Sequence, residues 1–80
     1  MPRIRKYGAS AEQIALEEEL RSRYGGSMTL TDLCTELGVK STKTGRAWVS
    51  GMKAMNVNGK LRYRCADIAE RMAAQMVTAP

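Results

Sequence analysis

The dipeptide Asn58-Gly59 is the feature that most restricts how this chain of 80 residues can fold. An apolar residue stands at every second position on both sides of it: Met55 and Val57 precede it, and Leu61 and Tyr63 follow it. Asn-Gly is the preferred pair for a two-residue type I′ turn, because both turn positions need a positive φ angle. The pattern therefore predicts a β-hairpin over residues 55–64.

Basic residues occupy every second position of the second predicted strand, at Lys60, Arg62 and Arg64. Successive side chains of a strand point to opposite faces of the sheet. We therefore expect the three cations on one face of the hairpin, where they can meet an anion. Leu61 and Tyr63 are expected on the other face, packed against the rest of the protein.

Two short amphipathic helices joined by a turn that contains glycine are predicted before the hairpin. Thr29 can cap the first helix, Gly38 can close it, and Ser41 can cap the second. Their buried faces share the spacing i, i+3, i+4, i+7: Leu30, Leu33, Cys34 and Leu37 in the first helix, and Gly45, Trp48, Val49 and Met52 in the second. This order predicts a helix-turn-helix over residues 29–53.

A further helix is predicted on each side of these elements. Ser10 and Gln13 have the form of a capping box, which predicts a helix over residues 11–24 that packs on the core or on a second subunit. The last helix is predicted over residues 66–76. Its apolar face consists of Cys65, Ile68, Ala69, Met72 and Met76.

The expected fold class is mainly α with a small β-hairpin, arranged as a winged helix-turn-helix with an additional N-terminal helix. A chain of this length can bury the core of one domain, expected over residues 10–76. Residues 1–9 are expected to form a flexible basic arm, and residues 77–80 a tail.

Charge is distributed unevenly along the chain, which has a formal net charge of +5. Between Gly38 and Arg64 there is no aspartate or glutamate, and the charged residues are Lys40, Lys43, Arg46, Lys53, Lys60, Arg62 and Arg64. Acidic residues instead crowd the first predicted helix, at Glu12, Glu17, Glu18 and Glu19. The segment without acids indicates an anionic partner such as nucleic acid.

Several classes of function are disfavoured by what the sequence lacks. No apolar run approaches the roughly 20 residues that span a bilayer, and no signal peptide is recognisable, so a cytoplasmic protein without a membrane partner is expected. The absence of histidine excludes a Cys2His2 zinc site and removes the commonest catalytic base. We expect no metal, no cofactor and no enzymatic activity. Cys34 and Cys65 are interpreted as small buried side chains.

Three stretches together resemble the winged helix-turn-helix of the excisionase type, a family related to the DNA-binding heads of MerR-like regulators. MTLTDLCTELGV is similar to the opening helix and turn of that family, STKTGRAWV to its recognition helix, and NGKLRYRCADIAERM to its wing and closing helix. The resemblance covers residues 28–73. Gly45 stands where the family more often has an apolar side chain, which predicts a short or bent recognition helix, and residues 1–26 have no counterpart.

Candidate DNA-binding residues lie on the outward face of the predicted recognition helix and on the wing. They are Ser41, Thr42, Lys43, Arg46, Ser50 and Lys53 on the helix, and Lys40, Lys60, Arg62 and Arg64 on the turn and the wing. Arg46 can offer a bidentate fork to guanine and is the candidate for base reading. The lysines suit phosphate contacts, since an ammonium is a point charge. The wing can follow phosphates or enter a minor groove.

Several functions stay open at this point. The resemblance implies a sequence-specific binder of double-stranded DNA that acts near attachment sites of a bacterial mobile element and biases an integrase toward excision. A small transcriptional regulator would use the same helix and wing. The alternative class is a protein-interaction module that recruits an integrase, packaging enzyme or polymerase and binds DNA without sequence preference. RNA binding is a weaker alternative. Weak homodimers or cooperative assembly on DNA are also open, with the first helix as the candidate for pairing.

Overall fold

The computed structural model describes residues 10–77 of the chain. Within this range it contains helices α1 (Ala11–Tyr24), α2 (Leu30–Leu37), α3 (Thr42–Trp48) and α4 (Cys65–Gln75), and strands β1 (Ser27–Met28), β2 (Met55–Val57) and β3 (Lys60–Arg64). The predicted fold class, mainly α with a small β-hairpin, is confirmed. The predicted basic arm and all of the predicted tail except Val77 lie outside the described residues. None of the helices in the described range is long and apolar enough to cross a membrane.

Helix α1 has the predicted bounds and packs along α4. Its start is fixed by Ser10, whose Oγ accepts a hydrogen bond from the backbone N–H of Gln13 at 3.1 Å. Its end is fixed by Gly25, which adopts a φ of 85°. The buried Leu20 of α1 joins Ile68 of α4 in the hydrophobic core. Of the two places predicted for this helix, the structure therefore shows the core.

Helices α2 and α3 begin where their predicted capping residues stand, and α2 also ends at its predicted glycine. Thr29 and Asp32 form a reciprocal capping box at the start of α2, with two hydrogen bonds of 3.1 Å. Gly38 closes α2 with a φ of 74°. At the start of α3, the Oγ of Ser41 accepts a hydrogen bond from the N–H of Lys43 at 3.1 Å. These caps set the length of the turn between the two helices.

The three described strands form one antiparallel sheet in the order β1-β3-β2. The pairing of β1 with β3 joins Ser27 to Arg64 and Met28 to Tyr63. The sequence did not predict β1, because a strand of two residues is too short to show the period of a strand. Met28 and Tyr63 are both buried, so this short strand closes the core beside the central strand.

The turn of the hairpin is the predicted one. Asn58 and Gly59 adopt φ angles of 54° and 83°, as a type I′ turn requires. The side-chain Oδ1 of Asn56 accepts a hydrogen bond from the N–H of Gly59 at 2.9 Å and so stabilises the turn from the preceding strand.

The predicted division of the hairpin into a packing face and a basic face is only partly correct. Tyr63 is buried, with 7% of its surface exposed, but 52% of Leu61 is exposed because the hairpin projects beyond the core at this point. The cross-strand pairs are Met55 with Arg62, Asn56 with Leu61, and Val57 with Lys60. Opposite residues share a face. The basic face therefore also carries the exposed apolar side chains of Met55 and Val57.

Strand β3 continues into α4 with no residue between them, since β3 ends at Arg64 and α4 begins at Cys65. Helix α4 begins and ends one residue earlier than predicted, at Cys65–Gln75 instead of 66–76. Tyr63, Cys65 and Ile68 are all buried along this passage. The hairpin is thus joined rigidly to the helix on which α1 packs.

Helix α3 packs on α2 at Gly45, where its backbone lies against the side chains of Cys34 and Leu30. A Cβ atom built at Gly45 would lie 2.5 Å from the Sγ of Cys34 and 3.3 Å from the Cδ1 of Leu30. The first distance is far shorter than van der Waals contact. Glycine is therefore required here by packing, although it weakens a helix by about 1 kcal/mol relative to alanine, and α3 is short, with seven residues.

The end of α3 differs from the prediction. The helix stops at Trp48, and the N–H of Ser50 then bonds the carbonyl of Ala47 at 3.2 Å in a tighter turn. Gly51 follows with a φ of 83°, a left-handed conformation through which a right-handed helix does not continue. The placement of Ser50 and Lys53 on the face of this helix was therefore wrong, since both lie in the loop beyond it.

We expect Gly45→Ala to lower the free energy of unfolding. The added methyl group must displace Cys34 or Leu30, and overpacking of this kind costs about 1 to 3 kcal/mol, which outweighs the gain in helix propensity. Urea denaturation followed by the fluorescence of Trp48, the single tryptophan of the chain, measures the change.

The variant Cys34→Ala supplies the matched background. It removes the Sγ that the new methyl group would meet, so the cost of Gly45→Ala should be smaller there, as for any pair in direct contact. An equal cost in the two backgrounds would show that the close approach does not determine the residue at position 45.

Candidate functional site

The candidate residues are nearly all at the surface. Arg62 is half-buried, and the others are exposed: Lys40, Ser41, Thr42, Lys43, Arg46, Ser50, Lys53, Lys60 and Arg64. Exposure alone does not bring them together, because they belong to α3, to the flanking loops and to the hairpin. Their side chains lie in two different grooves, on the exposed side of α3 and, for Arg62, in contact with β1.

One groove lies between α3, the start of α2 and the hairpin; we call it the helix–hairpin groove. It is lined by Thr29, Leu30, Thr31, Arg46, Lys60, Leu61 and Tyr63. Arg46 comes from α3 and Lys60 from the end of the hairpin, and no acidic residue lines the groove. Thr31 is exposed and adds a hydroxyl group. Two cations from different elements thus share one concave surface that suits an anionic chain.

A second groove lies between the loop after α3 and helix α4; we call it the loop–helix groove. It is lined by Met52, Lys53, Arg64, Asp67, Glu70, Arg71, Ala74 and Gln75. The candidate cations Lys53 and Arg64 therefore share a surface with the carboxylates of Asp67 and Glu70. These carboxylates reduce the positive potential, so the loop–helix groove is a weaker site for an anion than the helix–hairpin groove.

Arg62 has a structural contact that the alternating pattern did not indicate. Its Nε donates a hydrogen bond to the Oγ of Ser27 at 2.7 Å, and its Nη2 donates to the carbonyl oxygen of Ser27 at 3.0 Å. The guanidinium of β3 thereby holds the edge strand β1. The prediction that Arg62 stands on a free basic face with Lys60 and Arg64 is corrected by these two bonds.

The exposed side of α3 carries Thr42, Lys43 and Arg46. Residues three or four positions apart lie next to one another on a helix, so Arg46 neighbours both of the others. Ser41 lies at the same end, but its hydroxyl is engaged as the cap of the helix. Lys40 is exposed in the turn before it. Thr42, Lys43 and Arg46 therefore form one exposed polar side of α3, with Lys40 in the turn before it.

Two side chains of α4 hold the other end of α3, and sequence reasoning missed both. Nη1 of Arg71 donates hydrogen bonds to the carbonyl oxygens of Trp48 at 2.8 Å and Ser50 at 3.0 Å. Its guanidinium carbon lies 5.9 Å from the centre of the Trp48 ring. The Nε1 of Trp48 donates to the Oε1 of Gln75 at 2.8 Å. The i, i+4 spacing of Arg71 and Gln75 is the one sequence signal that could have grouped them.

Two of the four acidic residues of α1 pair with arginines. Glu17 is buried and its carboxylate lies 3.4 Å from Arg21, while Glu19 lies 4.0 Å from Arg23. Arg23 also pairs with Glu36 of α2 at 2.5 Å, an interaction that raises the pKa of Arg23. Glu12 and Glu18 are exposed, so pairing takes up two of the four carboxylates of α1.

Glu36 also joins the end of α1 to α2 through Tyr24. The hydroxyl of Tyr24 donates a hydrogen bond to Glu36 at 3.0 Å. Burial and then this bond raise the pKa of Tyr24, since both disfavour the phenolate.

The two cysteines are buried free thiols, as predicted. Burial raises the pKa of Cys65, and its Sγ donates to the carbonyl of Gly25 at 3.3 Å. A raised pKa reduces the fraction of thiolate at neutral pH. Neither the geometry nor the protonation of Cys65 makes it a nucleophile.

Comparison with known proteins adds no relative to this description. No protein-family model, no curated protein and no solved structure matches the chain.

We expect Arg62→Ala to lower the free energy of unfolding by about 1 to 2 kcal/mol, because it removes two hydrogen bonds from a charged donor in a half-buried position. Chemical denaturation measures the loss. Arg64→Ala is the matched control, since it removes the same charge from an exposed position of the same strand. Equal losses in the two variants would contradict the role of Arg62 in holding β1.

Proposed function

We propose that this protein binds double-stranded DNA with sequence preference through α3 and the hairpin. The observation that carries the proposal is the helix–hairpin groove, in which Arg46 and Lys60 from separate elements meet without an acidic residue. The exposed polar side of α3 stands beside this groove. A helix and a projecting basic hairpin are a combination that can contact a base edge and the adjacent backbone together.

The diameter of a helix suits a major-groove contact. An α-helix with its side chains is about 10 to 12 Å across, and the major groove of B-DNA is about 12 Å wide, so the seven residues of α3 can enter it. Arg46 is proposed to read a guanine through its planar fork. Lys40 and Lys43 are proposed to contact phosphates, as a point charge without directional preference does.

We propose that the hairpin contacts DNA through Lys60 more than through its other cations. Lys60 shares the helix–hairpin groove with Arg46, whereas Arg62 is bonded to Ser27. Arg64 shares its groove with two carboxylates. We therefore propose Lys60 as the principal phosphate contact of the hairpin, with Arg62 maintaining the shape of the sheet.

The biological role proposed is that of an excisionase-like directionality factor of a mobile element, or of a small transcriptional regulator, acting in the cytoplasm. The resemblance of the helix-turn-helix and wing supports this class and implies an integrase as a partner. The two roles would use the same surface. A neighbouring integrase gene favours the first.

The protein-interaction alternative has less support. It relies on the acidic helix α1, where Glu17 and Glu19 already pair with arginines of the same helix. It also requires that DNA affinity be weak and independent of sequence. That requirement makes it an outcome of the same experiment that tests the proposal.

The proposal is tested by selecting bound duplexes from a random DNA pool. Affinity for the selected duplex and for a scrambled duplex is then measured at several salt concentrations, with an RNA competitor as a further arm. We expect a defined motif and an affinity that falls steeply with salt, because each phosphate contact releases a counterion. Weak binding without a motif would favour the protein-interaction alternative, and displacement by RNA would favour that nucleic acid.

Substitutions at position 46 separate base reading from phosphate contact. We expect Arg46→Ala to weaken binding of the selected duplex by about 1 to 3 kcal/mol and to relax the preference at one base pair. Arg46→Lys retains the charge without the fork, so it should retain the salt dependence and lose that preference. Uniform weakening across all sequences would instead identify Arg46 as a phosphate contact.

Lys60→Ala should leave the sequence preference intact and reduce the slope of log affinity against log salt by about one unit. The measurement is the salt titration described for the wild type. An unchanged slope would remove the hairpin end from the DNA interface.

A further inference from the structure

Helix α3 is held near its middle and at its C-terminal end by different means. Near its middle, Gly45 permits close packing on Cys34 of α2. At its C-terminal end, the contacts come from the long side chains of Arg71 and Gln75 on α4. These two residues stand four positions apart and so lie on one side of α4.

The contact of Arg71 suits the end of a helix. The last carbonyl groups of a helix have no partner within the helix and must find donors elsewhere. One nitrogen of Arg71 bonds the carbonyls of Trp48 and Ser50, on either side of the point where α3 ends. The planar guanidinium also lies over the Trp48 ring, so both the backbone and the side chain of Trp48 are fixed.

Helix α4 also begins at the end of the hairpin, because Cys65 directly follows the last residue of β3. Helix α4 is therefore attached covalently to one proposed DNA-binding element and through Arg71 to the other. The angle between α3 and the hairpin, and hence the shape of the helix–hairpin groove, depends on this connection together with the packing of α3 on α2. A change of that angle would move Arg46 relative to Lys60.

We infer that Arg71, assisted by Gln75, is a positioning residue that sets the orientation of α3 and thereby the sequence selectivity of DNA binding. The inference rests on the proposed function. Two of the five N–H donors of Arg71, both on Nη1, bond carbonyl oxygens, and its side chain is half-buried, which favours a positioning role over a phosphate contact. Base contacts need accurate orientation, whereas phosphate contacts tolerate small shifts.

The test compares Arg71→Gln, Arg71→Lys and Gln75→Ala with the wild type. The readout is the ratio of affinities for the selected and the scrambled duplex, together with the salt slope. We expect Arg71→Gln to reduce the ratio about tenfold, a size typical of couplings carried through packing. The salt slope and the affinity for the scrambled duplex should not change. Arg71→Lys should cause a smaller loss, since it retains the charge.

The matched control is Arg64→Gln, which removes an exposed arginine from the same loop–helix groove. It should reduce the salt slope or leave binding unchanged, without lowering the selectivity ratio. A ratio equal to the wild type in both Arg71 variants would overturn the inference. So would a salt slope reduced by one unit in Arg71→Gln, since that identifies a direct phosphate contact. If the Arg71 variants fail to fold, Gln75→Ala becomes the test, because Gln75 is exposed. An unchanged selectivity ratio in Gln75→Ala then overturns the inference.

Hydrogen exchange tests, in the absence of DNA, whether Arg71 stabilises the C-terminal end of α3. The amide protons of Val49 and Ser50 bond carbonyls of α3 and should exchange about tenfold faster in Arg71→Gln, because the end of the helix opens more often. The amide of Leu33 in α2 is the internal control and should be unaffected. If the wild type selects no motif, the proposed function fails, while this exchange result still decides whether Arg71 fixes α3. Equal exchange at Val49 and Ser50 would overturn that role.

Discussion

The direct passage of β3 into α4 is the constraint on which the rest of the structure depends. No loop separates them, and Tyr63, Cys65 and Ile68 enter the core one after another along this passage. Strand β3 pairs with a strand on each side, and α4 provides the surface on which α1 packs. A small chain buries a limited fraction of its surface. Using one continuous segment for both the sheet and the helical layer lets few residues fix all the other elements.

Helix α3 is attached to this framework by contacts that leave little room for a change in its position. Its backbone approaches α2 so closely at Gly45 that a methyl group does not fit beside Cys34. Its far end is bonded to side chains of α4. The helix contributes few apolar side chains to the core: Trp48 is partly buried, and the buried Val49 lies just beyond the end of the helix. Its orientation is therefore determined by specific polar contacts and by close packing, and less by the amount of apolar surface that it buries.

The sequence predicted those parts of the fold that are determined by neighbouring residues. The capping serines and threonines located the starts of the helices, and Asn58-Gly59 located the hairpin turn. The end of α3 was misjudged because apolar spacing continues into the loop, where Gly51 adopts a left-handed conformation. The roles of Arg62 and Arg71 were hidden because their partners, Ser27 and Trp48, are distant in sequence and are bound through backbone carbonyls. Candidate residues were recognisable by charge, but their division between two grooves was not.

The pairing of β1 with β3 has a consequence for the order in which the chain can fold. Ser27 and Arg62 are bonded across 35 positions, and α1 packs on the helix that ends the described range. Contacts between distant segments form late, because the entropy of closing a long loop must be overcome first. Helices α2 and α3 are joined by a short turn and can associate early. During synthesis from the N-terminus, α1 and β1 can contact α2 early, through Glu36 among others, but α4 and β3, against which they pack and pair, leave the ribosome later.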